Sequence, residues 1–289
     1  GVDVTVVDTV QENLDRVLEG TRGKGIRADA ASLMGDLLAQ ERPTVAIGLL
    51  PPRFLGPLAE ECVRHRVHLV APSYAKEDLR ALDGPAREAG VTLLAELGLD
   101  PGIDHLSAAR TVSRIHQMGG RVDAFWSVCG ALPAPESNDN PLGYKLSWAP
   151  GSLVGASRRD ARILEDGTER LLPDGQTFRR PGLTEIRGLG WFEHYANADS
   201  LPYVELYDMR EVRNVYRGTL RYPGWCEIVC ALRELGLFDL ERLDFRGQTF
   251  PSLLRERLGL SKASPVKAQA LEQYLGMEAV DGVKTHHLA

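Results

Sequence analysis

The 289 residues carry 34 Lys and Arg against 40 Asp and Glu, a formal charge of −6, with 43% hydrophobic and 26% charged residues. That length suffices for two or three domains with a substantial core, and an acidic chain without a basic block offers no electrostatic footprint for nucleic acid. No run reaches the ~18 apolar residues of a membrane span and no signal peptide precedes the first strand, so a cytoplasmic protein is expected.

The chain opens on Gly1 rather than Met, and residues 2–7 (VDVTVV) already read as a strand. Natural domains seldom open on a buried strand, which predicts a truncated start. QENLDRVLEG follows as an amphipathic helix with Leu14, Val17 and Leu18 on one face. Then come GIRAD, the helix SLMGDLLAQ, and the apolar run from Val45 to Leu50, which ends at Pro51 and Pro52. PLAEECVRH leads to VHLVAPS, and LRALDGPAREAG leads to VTLLAELGLDPG. Strands alternating with helices of about 10–15 residues predict a parallel sheet of βαβ units. Continuous apolar runs such as VAIGLL suit strands buried on both faces. Pattern alone leaves other three-layer α/β folds open, a flavodoxin-like one among them.

Asp8 ends the opening strand. In dinucleotide-binding sheets an acidic residue ending the second strand accepts hydrogen bonds from the adenosine ribose. Asp8 suits that role if its strand is the second of the sheet; taken alone, it reads as a strand-ending cap. No GxGxxG turn occurs in the chain.

From about residue 105 the pattern changes. The helix DHLSAARTVSRIHQMGG leads to the strand RVDAFWSVCG and then to a long loop, ALPAPESNDNPLGYKLSWAPGS. Loops of this length are usually functional or mobile. Strand-like and turn-like pieces run through SLPYVELYDMREVRNVYRGTLRYPG, and helices follow in CEIVCALRELGLF, SLLRERLGL and KAQALEQYLG. The closing VDGVKTHHLA carries no core pattern. Cys62, Cys129, Cys226 and Cys230 form no CxxC and are too few for a secreted disulfide framework. Cys226 and Cys230 could share a helix face, but no His or carboxylate completes a metal set, and both read as core thiols.

Three stretches carry a resemblance: AELGLDPGIDH (95–105), CGALPAPESNDNPLGYKLSW (129–148) and RGTLRYPGW (217–225). Together they resemble the saccharopine dehydrogenases that release glutamate in lysine metabolism. The first stretch is shared with carboxynorspermidine and homospermidine enzymes; the long loop is the narrower signal. The resemblance implies an α/β chain with an incomplete Rossmann-type NAD(P)-binding domain over 1–104. An α/β substrate domain would cover 105–218, and a mainly helical region 219–289. The implied activity is NAD(P)-dependent oxidation of saccharopine to glutamate and 2-aminoadipate semialdehyde, or the reverse condensation.

Oxidising a secondary amine moves a hydride off the carbon beside nitrogen, then adds water to the imine and collapses the carbinolamine, with a proton moved at each step. A substrate with several carboxylates calls for Arg, Ser and backbone donors. By resemblance, Ser73 and Tyr74 meet the substrate, with Tyr74 also catalytic. Asp100 is a candidate proton acceptor, and Cys129 a second ionisable group in the same pocket. Thr219, Leu220 and Arg221 grip a substrate carboxylate. Cofactor contacts are implied at Asp8, Asp29, Leu50, Leu99, Asp100 and Pro101. Ser73, Tyr74, Asp100, Cys129 and Arg221 are therefore expected in one cleft. Singly, LDPG reads as a turn, Cys129 as a core residue and Arg221 as an ion-pair arginine; their joint occurrence with the long loop favours a site.

Departures matter as well. Ala198 stands where the resembling enzymes carry an Arg for a substrate carboxylate, a loss of about 1.5–3 kcal/mol of charge-assisted bonding. Ala149 stands where they carry a cofactor-contacting Ser, and Gly130-Ala131 replaces a double Gly. NAD is expected over NADP. The Asp8 carboxylate repels a 2′-phosphate, Thr9 cannot offset it, and Arg16 and Arg22 lie later in the chain. A diamine-condensing relative, or a catalytically silent partner-binding chain, stays open. The expected partner is a small amino-acid substrate, with no nucleic acid and no membrane; a homodimer is left open.

Overall fold

The alternation in the first hundred residues folds as parallel strands joined by helices. The computed structural model describes residues 1–140, 142–145, 150–239, 246–262, 264–266, 277–280 and 283–286. Contacts divide the chain into two units, Gly1–Arg110 and Thr111–Ala289.

The first unit runs β1 (Thr5–Asp8), α1 (Gln11–Leu18), β2 (Lys24–Arg27), α2 (Met34–Glu41), β3 (Val45–Ile47), α3 (Leu55–His65), β4 (His68–Val70), α4 (Glu77–Arg80), α5 (Asp83–Ala89) and β5 (Leu93–Leu94). Parallel neighbours need crossover connections, which the helices supply. β1 pairs with β2, and β3, β4 and β5 form a second parallel set in that order. α3 shows why these residues are helical: Leu55, Leu58, Ala59 and Cys62 recur at helical spacing and are all buried. Arg66 ends the helix in the left-handed conformation, its N–H reaching back to the Cys62 and Val63 carbonyls. That face packs with Met34, Leu38 and Leu69 in one core cluster. Burial pushes the Cys62 thiol up to about 12, as a core thiol requires. In α1 only Leu14 is buried, while Val17 is exposed.

Among the described residues β1 pairs with no strand but β2, and β3 with none but β4. β1 and β3 therefore each have one open side among the described residues. Along β3 and just after it, Val45 is 45% exposed, Ile47 68% and Leu49 77%.

Helix α6 (Ile103–Gln117) runs through the division between the units. The second unit continues with β6 (Ala124–Cys129), α7 (Pro150–Ser157), β7 (Ala161–Glu165), β8 (Thr168–Leu172), β9 (Gly182–Ile186), β10 (Gly190–Ala196), α8 (Pro202–Leu206), β11 (Asn214–Arg221), α9 (Trp225–Glu234), α10 (Phe250–Arg257), β12 (Met277–Val280) and β13 (Val283–His286). Its main sheet is six-stranded, in the order β8-β7-β11-β10-β9, with β6 parallel against β11. β11 is the hub, and its Val215, Arg217, Gly218, Leu220 and Arg221 are buried. The 218/219 boundary drawn from the sequence falls inside this strand. α9 is anchored from β10: the buried Glu193 carboxylate accepts the Gly224 and Cys226 backbone N–H groups at 3.0 and 2.5 Å. A carboxylate at a helix N-terminus satisfies orphan donors and opposes the helix dipole favourably. Thr249 and Ser252 form a reciprocal capping box on α10. Val280 and Val283–His286, within the closing stretch read as patternless, lie in the antiparallel pair β12–β13. KAQALEQYLG (267–276) and Ala149 lie outside the described residues.

Candidate active site and cofactor edge

In the first unit, the carboxyl ends of β4 and β5 are tied to each other. The Glu96 N–H donates to the Ser73 carbonyl at 3.0 Å, and Leu97 to Ala71 at 3.1 Å. The Glu96 carboxylate accepts the Ala75 N–H at 3.1 Å. This fixes the chain carrying Ser73 and Tyr74 beside the loop of Leu99, Asp100 and Pro101. The Tyr74 hydroxyl donates to Asp100 Oδ1 at 2.9 Å. His105, on the first turn of α6, sets its ring edge-to-face with that of Tyr74 at 6.3 Å.

The loop is closed on itself. Gly98 N–H reaches the Pro101 carbonyl at 2.8 Å, Ile103 the Gly98 carbonyl at 3.0 Å, and Asp104 the Leu99 carbonyl at 3.1 Å. Asp104 Oδ1 accepts the Gly102 N–H at 2.8 Å. Gly102 has φ +151°, and a Cβ there would collide with the Gly98 carbonyl oxygen. Only glycine fits. Asp100 and Leu99 are exposed, Ser73 half-buried and Pro101 buried. A carboxylate accepting a phenol proton, both open to solvent at strand C-termini, can take a proton from a ligand and pass it on.

The other residues assigned to a cofactor also lie in the first unit. Asp8 ends β1, and its Oδ1 accepts the Val10 N–H at 2.8 Å. Asp29, just past β2, folds onto its own turn, bonding the Ala31 N–H at 3.0 Å and the Ser32 hydroxyl. Those bonds hold its carboxyl below the usual range, the Ser32 hydroxyl contributing most. Leu50 packs against the core. A carboxylate at a parallel strand's carboxyl end fits the ribose of a nucleotide cofactor. The register adds a residue that the sequence did not point to: Arg27 is the direct cross-strand partner of Asp8.

In the second unit, Cys129, Thr219 and Tyr195 lie in one row across β6, β11 and β10. Alternate residues share a face, so Arg221 stands on the same side as Thr219, and Leu220 on the other. Arg221 is only 4% exposed. Its guanidinium lies 4.9 Å from the Tyr144 ring centre, 5.2 Å from that of Trp225 and 5.8 Å from that of Tyr195. One Nη donates to the Leu220 carbonyl at 2.7 Å, and Nε has no hydrogen-bond partner among the described residues. Glu193, the register partner of Arg221, turns its carboxylate to α9 instead. A buried guanidinium whose donor lacks a partner is a place for a carboxylate. Burial raises the Tyr195 hydroxyl above its ordinary range. Ala198 adopts φ +55° and gives its carbonyl to the Arg162 N–H at 3.0 Å.

The assigned residues thus fall into two groups. Ser73, Tyr74, Leu99, Asp100 and Pro101 gather in the first unit; Cys129, Thr219 and Arg221 share a sheet face in the second. Sequence reading passed over His105, although it closes the DPGIDH stretch, and over Glu96, Glu193 and Trp225, whose roles depend on partners distant in the chain. No group of three or more His, Cys, Asp or Glu among the described residues could hold a metal ion.

Residues 98–281 match the family described as the saccharopine dehydrogenase C-terminal domain. The chain is 34% identical over 262 residues to the NADP(+), L-glutamate-forming saccharopine dehydrogenase of Pyricularia oryzae, spanning 87% of this chain and 56% of that protein. It is likewise 34% identical over 274 residues to the Saccharomyces cerevisiae enzyme of the same name, 91% of this chain and 59% of that one. Mitochondrial alpha-aminoadipic semialdehyde synthase of Mus musculus matches at 34% over 235 residues, 25% of its length. Among solved structures, apo saccharopine dehydrogenase (L-Glu forming) from Saccharomyces cerevisiae superposes with a TM-score of 0.80 at 32% identity, covering 94% of this chain and 61% of that one. The chain therefore spans somewhat over half the length of the fungal enzymes it matches.

Proposed function

Because this chain belongs to the saccharopine dehydrogenase family, we propose that its protein is a nicotinamide-dependent oxidoreductase that interconverts saccharopine with glutamate and 2-aminoadipate semialdehyde. The observation that carries the reading is the Tyr74–Asp100 hydrogen bond at the carboxyl ends of the parallel strands. When bound, the nicotinamide accepts or gives the hydride. The residues of this chain manage the protons. Asp100 takes the proton of the substrate ammonium, so that the nitrogen lone pair can drive the hydride off the neighbouring carbon and leave a protonated imine. Asp100 passes that proton to solvent through Tyr74 and, ionised again, accepts a proton from the water that adds to the imine carbon. The carbinolamine then loses its hydroxyl proton and expels the glutamate amine, which is protonated as it leaves. Arg221, held among three rings with Nε unpartnered, receives one substrate carboxylate. Cys129, in the row with Thr219, faces that substrate as a second proton-carrying group.

The test is made on the full-length protein, following nicotinamide absorbance with saccharopine. Asp100→Ala should lower kcat by about 100- to 10,000-fold with little change in KM, as loss of a general base does. Thermal unfolding should be near wild type, because Asp100 is exposed. A wild-type protein without turnover, or an Asp100→Ala variant as fast as wild type, would overturn the assignment.

A further inference from the structure

Two donor atoms in the aromatic cluster of the second unit are buried without a hydrogen-bond partner among the described residues: Arg221 Nε and the indole Nε1 of Trp225. Their residues are 4% and 3% exposed. The Arg221 guanidinium carbon lies 5.2 Å from the Trp225 ring centre, with Tyr144 and Tyr195 on further sides at 4.9 and 5.8 Å. A buried indole N–H usually finds an acceptor, because burial takes away its bond to water. Here the acceptors beside it are already spent. The Glu193 carboxylate takes the Gly224 and Cys226 N–H groups, on either side of Trp225 in the chain. The Leu220 carbonyl takes an Nη of Arg221, and the Tyr144 carbonyl takes the Asn140 amide. The Tyr222 carbonyl takes the backbone N–H of Trp225 itself at 3.3 Å, and the Tyr195 hydroxyl is engaged with Thr219. No carboxylate among the described residues pairs with the guanidinium.

Two orphan donors in one dry cluster, one of them charged, call for an anionic acceptor with two oxygens. We propose that Trp225 is a substrate-binding residue: its indole N–H and Arg221 Nε hold one substrate carboxylate between them, an oxygen to each donor. The inference rests on the carboxylate assigned to Arg221 above and deepens it, naming the second donor and the selectivity that follows. Neither an indole N–H nor a guanidinium can accept a hydrogen bond. A carboxamide in the same place would turn its NH2 group against one of the two donors, so the pair tells a carboxylate from its amide. The surrounding rings exclude water, which strengthens a charge-assisted bond made among them. The end of α9 is not the anion's partner, because Glu193 already takes its first N–H groups.

Calorimetry on the full-length protein measures the binding of saccharopine and of three analogues, each with one carboxylate changed to a carboxamide. Wild type should bind one of the three about 10- to 100-fold more weakly than saccharopine. Trp225→Phe, which keeps a ring and removes the N–H, should weaken saccharopine by about the same factor and that one analogue by less than about twofold. Circular dichroism serves as the folding control. An equal loss for saccharopine and for all three analogues assigns Trp225 to packing and overturns the inference. So does a Trp225→Phe protein that binds saccharopine as wild type does. Should Trp225→Phe fail to fold, wild type alone decides: saccharopine should move one indole N–H proton resonance downfield, and the weakly bound analogue should not. No indole resonance moving with saccharopine overturns the inference. Arg221→Lys separates it from the reading beneath it. If that variant keeps wild-type affinity, or wild type binds no saccharopine, the carboxylate assignment falls and the inference with it. If Arg221→Lys loses affinity while Trp225→Phe keeps it, only the inference falls.

Discussion

Glu211 shows how one carboxylate couples the second unit to pH. Its Oε1 accepts the Val122 N–H at 3.0 Å and lies 2.9 Å from His116 Nε2. The backbone N–H of Val122 contributes most, then that of Glu211 itself and the His116 ring, and the carboxyl is held down to about 2. An unfolded Glu titrates near 4.3 (roughly). The folded value is the lower, so the stability it gives is fully present above the unfolded pKa and is lost as pH falls toward about 2. Chemical denaturation between about pH 6 and pH 3 should therefore lose stability less steeply in Glu211→Gln than in wild type. Parallel slopes would remove Glu211 from the acid limb. Legibility at this scale follows sequence distance. Asp100 is visible because LDPGIDH is contiguous, and Tyr74 because SY closely follows the strand run VHLV. Arg27 is invisible because only the β1–β2 register sets it beside Asp8. Glu193 caps a helix that begins 32 residues later, a partnership that no local pattern announces.

At the scale of elements, the loop between β5 and α6 converts a turn motif into a positioning device. Pro and Gly signalled the turn, but not its closure: Gly98 and Gly102 come so near that the Ile103 N–H reaches the Gly98 carbonyl at 3.0 Å. The loop therefore presents Asp100 to Tyr74 with its own backbone satisfied. Gly102→Ala tests this. An added Cβ meets the Gly98 carbonyl oxygen at a φ that only glycine adopts easily, so the loop must open at a cost of about 1–3 kcal/mol. Opening moves the carboxylate away from the phenol. The variant should melt lower and lose turnover, while 5′-AMP affinity at the Asp8 edge stays at the wild-type value. Wild-type turnover in Gly102→Ala would show that the closure does not position Asp100. Elsewhere the elements were readable where periodicity was strong, as in α3 and β11, and unreadable where an element is short. Val283–His286, in the patternless closing stretch, pair antiparallel with Met277–Val280, and backbone pairing of that kind leaves little imprint on side-chain pattern.

Across the whole molecule, the two units differ in how their apolar surface is covered. The second unit buries β11 between neighbouring strands and seats α9 on the Arg221 face, with Tyr144, Phe178, Tyr195 and Trp225 in one aromatic-rich cluster. The first unit leaves one edge of β1 and one edge of β3 unpaired among the described residues, and its exposed residues include Val4, Val45, Ile47 and Leu49. Unpaired edges carry unsatisfied backbone groups, and apolar side chains left in water contribute nothing to folding free energy. Alternation of strand and helix made the α/β class legible, whereas the division of the parallel strands into two sets appears only in the pairing. The 289-residue chain should therefore unfold in two steps, with residues 1–110 first. Hydrogen exchange should show the amides of β1 and β3 opening at lower free energy than those of β11, because fewer tertiary contacts must be broken to free them. Calorimetry should resolve a lower-temperature transition accompanied by binding of an apolar dye, which the exposed Ile47 and Leu49 region already favours before melting. A single cooperative transition, or protection in β3 equal to that in β11, would mean that the open edges are covered in solution, most simply by edge-to-edge pairing of two copies. Sedimentation across a concentration range separates these outcomes, since pairing of copies makes the first transition rise with protein concentration, and an uncovered edge does not.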